Sequence, residues 1–452
     1  MFSKEVYQQR RKALKAAIGE GIILFPGNEE SSMNYRDNLY PFRQDSCFLY
    51  FTGIDRPGLC LIIDIDNDQE ILFGDEATMD DIVWTGPQEE LKAQSDKAGI
   101  AFTREKLEIE NALRGTRKVH FLPPYRGETQ LKLISWGLTE AASIPLIKAV
   151  VAQRSIKAEE EIIEIEKSIA TTVLMQQFAM EIAKPGLTEN FIAGQLQALA
   201  ISKGGNLAFP TILTVNGQFL HNHASSNVIQ QGQMVLCDCG AENNMHYAGD
   251  LTRTFPVGQE FTAVQQDIYN IVLQAHQTAA AALNPGVLFK EVHLLACEQL
   301  AIGLKELGLM KGDPKQAVAE GAHTLFFQCG LGHMLGLDVH DMENLGEEYV
   351  GYTEELKKST EFGLKSLRLG RSLEEGFVLT VEPGLYFIPD LIDSWQAENK
   401  HEAFINYDKV AQFKSFGGIR IEEDFLVTAQ GSRLLGPPLA KTNGEILAHI
   451  SN

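Results

Sequence analysis

Four carboxylates and one imidazole, Asp238, Asp250, His333, Glu382 and Glu422, fall in four short motifs in the last half of the chain. An oxygen-rich set of this kind suits hard divalent ions, and a pair of such ions held close together can activate a shared water as a nucleophile. Taken singly, each residue has an ordinary explanation: an aspartate at a turn, a histidine in a core, a glutamate on a solvated face. Their joint placement near strand ends is what points to chemistry.

The elements that must position them can be read from alternation. In VLCDCGAENNMHYAGDLTRTFP (235–256), a strand starting after Gly232 puts Met234, Leu236 and Asp238 on one face. An acid aligned with core residues needs a metal, an arginine or a proton as compensation. Cys237 and Cys239 then point to the opposite face, into packing. Asp250 opens the run DLTRTF, where Asp250, Thr252 and Thr254 share a face, and a loop at Asn243–Asn244 would close a hairpin that brings the two aspartates together. In GLGHMLGLDVHD (330–341), glycines on both sides let backbone approach His333 closely, and His340 follows seven residues later. In FVLTVEPG (377–384), Val378, Thr380 and Glu382 align, and Pro383 stops the ladder, leaving Glu382 at a strand end. GGIRIEED (417–424) reads as one strand with Arg420, Glu422 and Asp424 on one face, the guanidinium placed to neutralise or orient the neighbouring carboxylate.

At 452 residues the chain is long enough for two or three domains, and 44% hydrophobic residues place it among globular proteins. A formal charge of −21 argues against nucleic acid and anionic membrane surfaces as partners. No run of 18 apolar residues occurs, and MFSKEVYQQRRKALK lacks the apolar core of a signal peptide, so a cytoplasmic protein is expected. Its six cysteines, thinly spread, are expected to be reduced. Residues 1 to about 155 read as a mixed α/β domain, with helices over 4–18 and 88–98 and strands at GIILF (21–25), LCLIIDI (59–65) and EILFG (70–74). From there the text changes. Ile162, Ile165, Ile169 and Val173 mark an amphipathic helix stopped by Pro185-Gly186. About a hundred residues on, a helix through Ala279–Ala282 stops at Asn284-Pro285-Gly286 and another begins near Phe289. A duplicated helix–turn–helix–sheet unit with the site between its halves is the expectation.

These motifs in this order, VEPG and GIRIEED above all, with YPFRQDSCFLYFTG (40–53) near the start, resemble the proline-specific metallopeptidases of the pita-bread fold, the family of aminopeptidase P and prolidase. The resemblance implies an α/β protein: an aminopeptidase-P-like domain over 1–155, then a pita-bread α+β catalytic domain over 156–452 with pseudo-twofold halves. It implies two divalent ions, manganese first, with cobalt, iron or zinc as alternatives. Asp238 would bind one ion, Asp250 and Glu422 would bridge, and His333 and Glu382 would bind the other. A metal-bridged hydroxide would attack, with Glu382 relaying a proton. His340 and His221 would act in catalysis and face the substrate, His223 being the rival for the second place, and Arg420 is counted with the substrate-binding residues. Cys329 departs from the family, where a histidine usually stands.

The substrates implied are short proline-containing peptides. Arg368, fourteen residues before Glu382, falls where prolidase has its carboxylate-binding arginine, with Arg371 as a competitor, so the resemblance leans to a dipeptidase cleaving Xaa-Pro. The alternatives are an aminopeptidase P acting on longer peptides, a creatine-hydrolysing relative, or an inactive pita-bread binding module. A homodimer is implied by the same likeness, and Trp84 either packs in the core or reaches a neighbouring subunit.

Overall fold

The computed structural model describes residues 1–115, 117–258 and 260–450. They form two compact units, Met1–Arg154 with Met342–Tyr349, and Ser155–Asp341 with Val350–Asn452.

In the first unit the apolar runs become a mixed sheet of β1 (Ile22–Pro26), β2 (Cys60–Asp64), β3 (Gln69–Phe73), β4 (Phe102–Arg104) and β5 (Val119–His120), in the order β4-β3-β2-β1-β5. β1, β2 and β3 run antiparallel, and the edge strands β4 and β5 join in parallel. Ile22, Leu24, Ile62, Ile71 and Phe73 alternate into a core closed by Leu113, Phe121 and Leu133. The helices expected at 4–18 and 88–98 span Lys4–Ile18 and Leu91–Lys97. Arg11 is fully buried yet satisfied: it donates to the carbonyls of Phe51, Ala98 and Gly99 and pairs with Glu70 at 2.7 Å. Trp84 is 86% exposed on the short Met79–Thr85 helix and takes no part in the core.

The second unit is built twice from one plan. Helix Glu159–Ile182 is followed by Glu189–Ser202, and helix Ala263–Ala282 by Phe289–Glu306. The connecting turns match bond for bond. Gly186 N–H donates to the Ile229 carbonyl and Ile229 N–H returns to Leu187, while Gly286 N–H donates to Leu373 and Leu373 N–H returns to Val287. Each turn has a proline, which cannot continue a helix, followed by a glycine at φ 92° (Gly186) or 86° (Gly286), where a side chain would be strained.

Each helix pair leads into strands. The first half contributes β6 (Asn206–Leu207), β7 (Ile212–Thr214), β8 (Met234–Cys239), β9 (Ala241–Glu242) and β10 (Leu251–Pro256). The second contributes β11 (Val378–Val381), β12 (Gly384–Tyr386), β13 (Gly418–Arg420), β14 (Glu423–Thr428) and β15 (Gly431–Leu434). The ladders β10-β8-β7, β11-β14-β15, β12-β13 and β6-β9 are antiparallel, and a bridge between Thr252 and Glu422 joins the halves. Cys237 and Cys239 are buried under the first helix, where Gln176 Nε2 donates to the Cys237 carbonyl at 3.1 Å.

One feature agrees with the sequence reading and one differs. The hairpin runs on through β9, with Glu242 bridged to Ala248 and Asn243 N–H donating to the Tyr247 carbonyl at its tip; its register sets Asp238 opposite Thr252, with Asp250 directly preceding β10, and β9 pairs with β6 as well. GGIRIEED is not one strand: the chain changes partner at Ile421–Glu422, from β12 to β11. The cause lies across the ladder, where Pro383 separates β11 from β12 and has no N–H to give.

Candidate metal centre

The duplication delivers acids in pairs. Asp238 is the last residue but one of β8, and Glu382 directly follows β11; Asp250 directly precedes β10, and Glu422 directly precedes β14. Each half therefore supplies one carboxylate from the end of its first long strand and one from the start of its second. Ligand atoms of Asp250, His333 and Glu422 all lie within 4.8 Å of one another. His333 Nε2 is 3.5 Å from Asp250 Oδ2 and 3.6 Å from Glu382 Oε1.

Asp238 enters through Arg420. The guanidinium pairs with Asp238, and it also donates from Nε to Thr252 Oγ1 at 3.2 Å and from Nη1 to the Tyr386 hydroxyl at 3.1 Å. The break at Ile421 puts Arg420 and Glu422 on different ladders, so the guanidinium offsets the charge of Glu422, as expected, while its hydrogen bonds go to these other partners. Glu422 is held by Thr252, whose hydroxyl donates to Oε2 at 2.6 Å, and the Asp250 N–H donates to Asp424 Oδ2 at 3.0 Å. Thr252 lies two residues after Asp250, and Asp424 two after Glu422. Each half thus orients the acid of the other.

His333 is fixed from behind. Its Nδ1 donates to the Met334 carbonyl at 3.0 Å, which leaves the Nε2 lone pair toward the acids, and its N–H donates to Thr380 Oγ1 at 3.2 Å. The backbone of β11 comes so close that a Cβ on Gly332 would stand 2.0 Å from the Thr380 carbonyl oxygen. Only glycine fits there.

Burial pushes the carboxyls of Asp250, Glu422 and Glu382 up from their ordinary values; neighbouring carboxylates push Asp250 and Glu422 further, while His333 and Arg420 oppose the rise at Glu382. Burial alone would lower the Arg420 pKa, but Tyr386, Asp238, Glu422 and Glu382 hold it well above the usual arginine value. Oδ1 of Asp238 and Oδ1 of Asp250 are buried without a hydrogen-bond partner among the described residues. Four acids faced by one guanidinium, with unpartnered oxygens aimed inward, fit hard divalent cations as the missing countercharge. Glu382 keeps 20% of its side chain exposed, against 5% for His333 and 6% for Asp250, so it is the member open to an incoming molecule.

The other expected residues surround this cluster. The His340 ring lies 4.2 Å from the His333 ring. His221 is exposed, and its pKa is lowered by desolvation first, then by the positive charges of Arg368 and Arg420, with Asp238 opposing. Arg368 also acts electrostatically on Glu382 and Cys329. Arg371 is occupied elsewhere, pairing with Glu374 at 2.6 Å and lying over the Phe377 ring at 5.3 Å. His223 is exposed beside His221. Burial raises the Cys329 thiol to about 12, with the Glu382 charge adding to it. Thr252, Tyr386 and Asp424 were not singled out as site residues by the sequence; the signal available was their spacing of two or four from an acid.

Residues 164–429 match the family described as metallopeptidase family M24, and residues 7–120 match the aminopeptidase P N-terminal domain. The chain is 31% identical to the Xaa-Pro aminopeptidase of Escherichia coli (strain K12), covering 99% of this chain and 97% of the relative. It is 30% identical to the human Xaa-Pro dipeptidase, covering 94% and 88%. Among solved structures, aminopeptidase P from E. coli in its low pH form superposes with a TM-score of 0.84 at 30% identity over 100% of this chain and 99% of that one. Proline aminopeptidase P II from Yersinia pestis gives 0.82 at 29% identity over 100% of both chains. With its fold, its acid-and-histidine cluster and these full-length relatives in agreement, the chain belongs to metallopeptidase family M24.

Proposed function

We propose that this metallopeptidase hydrolyses the Xaa-Pro bond of dipeptides at a two-ion centre held by Asp238, Asp250, His333, Glu382 and Glu422. The observation that carries the reading is the convergence of Asp250, His333 and Glu422, beside Glu382, around buried oxygens with no hydrogen-bond partner among the described residues. Asp238 would hold one ion, His333 and Glu382 the other, and Asp250 and Glu422 would serve both. The oxygen-rich donor set favours manganese, with cobalt, iron or zinc as substitutes. Bound there, such ions lower the pKa of water and withdraw charge from a carbonyl oxygen.

The protein's own groups do the rest. Glu382, open to solvent and with a raised pKa, takes up the proton of the attacking water and returns it to the departing proline nitrogen. His340 and His221 supply imidazoles beside the substrate carbonyl, that of His221 held neutral by desolvation. Arg420 is buried and directed at Asp238, Thr252 and Tyr386, which supports a role in holding the acids in place of the expected substrate contact. Arg368, in electrostatic reach of Glu382 and His221, is suited to read the free carboxylate after proline through its planar fork.

Removal of the residue before proline from longer peptides is the second reading, supported by the match to the E. coli Xaa-Pro aminopeptidase along 99% of the chain. Hydrolysis of Gly-Pro beside Gly-Pro-Ala with added manganese separates the two. The dipeptidase reading predicts cleavage of Gly-Pro that falls about 10- to 100-fold in Arg368→Ala, the value of charge-assisted hydrogen bonds to a carboxylate. Cleavage of the tripeptide alone would replace it with the aminopeptidase reading. A cytoplasmic, homodimeric enzyme belongs to the same proposal. It is supported by six thiols without a disulfide and by the exposed Met79, Val83 and Trp84, a patch a second copy could cover. No helix among the described residues is long and apolar enough to cross a membrane.

A further inference from the structure

Away from the acids, three other residues with metal-binding atoms converge inside the second unit. His293 and Cys297 are one turn apart on the Phe289–Glu306 helix and so share a face, and His323 comes from the short 3-10 turn Ala322–Leu325. One ligand atom from each lies within 4.8 Å of the others, and His293 Nε2 stands 3.5 Å from Cys297 Sγ. A tetrahedral ion with bonds of ~2.0 Å to nitrogen and ~2.3 Å to sulfur sets two such ligands about 3.5 Å apart. The helix therefore presents a nitrogen and a sulfur at the spacing of one edge of that tetrahedron.

All three residues are closed to solvent, at 1%, 0% and 3% exposure. Nδ1 of His293 and Nδ1 of His323 have no hydrogen-bond partner among the described residues. A thiol hydrogen bond from Cys297 to His293 accounts for one ring nitrogen and leaves His323 facing the pair without a purpose. Burial holds His293 down to about 3 and His323 to about 4, so both rings keep a free lone pair at neutral pH.

We propose that His293, Cys297 and His323 bind one borderline-soft transition-metal ion, zinc first, as three protein ligands of a buried site separate from the acid cluster. Two imidazoles and a thiolate select zinc over manganese, the reverse of the preference of four carboxylates. Binding converts the Cys297 thiol to a thiolate and releases its proton to solvent. The ion ties the Phe289–Glu306 helix to the segment that runs from His323 through Cys329 to His333. Cys329 is in electrostatic reach of both Cys297 and Glu382, so the site borders the catalytic cluster and steadies the approach to it.

X-ray absorption at the zinc edge, on the full-length protein supplied with zinc and manganese, tests this without a variant. The proposal expects a sulfur scatterer at ~2.3 Å, which no residue of the acid cluster can provide. In Cys297→Ser that scatterer disappears and the zinc content falls by about one ion per chain, and in His323→Asn the zinc content falls likewise. A first shell of nitrogen and oxygen alone in the unaltered protein would overturn the proposal, whether or not the variants fold. So would a sulfur signal that persists in Cys297→Ser, because it would place the zinc on another thiol.

Discussion

Thr252 and Asp424 make the centre a product of two halves. The hydroxyl of Thr252 holds Glu422, and the carboxylate of Asp424 accepts the N–H of Asp250, so each of these two acids is oriented by the strand that carries the other. Substituting Thr252→Val keeps the shape and removes the donor. Loss of an outer partner of this kind weakens metal affinity or activity by about 10- to 100-fold, and a manganese titration followed by isothermal calorimetry should give a shift in that range. At this scale the sequence was informative about residue types: the acids lie at strand ends, and His333 between glycines, as alternation and Pro383 required. It was silent about which groups Arg420 hydrogen-bonds. Its partner Asp238 is 182 residues away in the chain, and a strand read as continuous through Ile421 pointed to Glu422.

At the scale of elements, glycines at close approaches set the positions of the ligands. Gly332 faces the Thr380 carbonyl oxygen at a distance no Cβ can tolerate, so Gly332→Ala must move the His333 loop off β11. We expect that variant to lose manganese affinity by about tenfold or more while the far-ultraviolet circular dichroism is retained. Gly286 differs: a Cβ there meets nothing within 4 Å, and only its φ of +86° is strained. Gly286→Ala should cost about 1–2 kcal/mol, lowering the thermal midpoint by a few degrees with metal binding intact. The helix pairs and their Pro-Gly stops were legible because helical periodicity and breakers act locally. The β8–β10 hairpin with its tip at Asn243–Tyr247 was legible for the same reason, but the added pairing of β9 with β6 was not, since it depends on residues some 35 positions away.

For the whole molecule, burying four acids together has a cost that depends on pH. Asp250, Glu382, Glu422 and Asp424 have folded-state pKa values raised by burial first, so without metal the native state holds more protons than the unfolded chain. Their contribution to stability is greatest below the unfolded carboxylate value, about 4, and is lost as pH rises from there through the raised folded values. Divalent ions act in the opposite sense, because they bind the deprotonated acids. The increase in thermal midpoint on adding manganese should therefore be larger at about pH 8 than at about pH 5.5. An increment that shrinks over that interval would mean the ions bind elsewhere.

The most direct test is proline release from Gly-Pro by chelator-treated protein during a manganese titration, with Asp250→Asn measured in parallel. The account predicts no release without metal and recovery that saturates near about two ions per chain. In Asp250→Asn, which takes a shared ligand from both ions, release should be lower by about 100-fold or more at every concentration. Full activity in the chelated protein, or an Asp250→Asn titration indistinguishable from that of the unaltered chain, would contradict it.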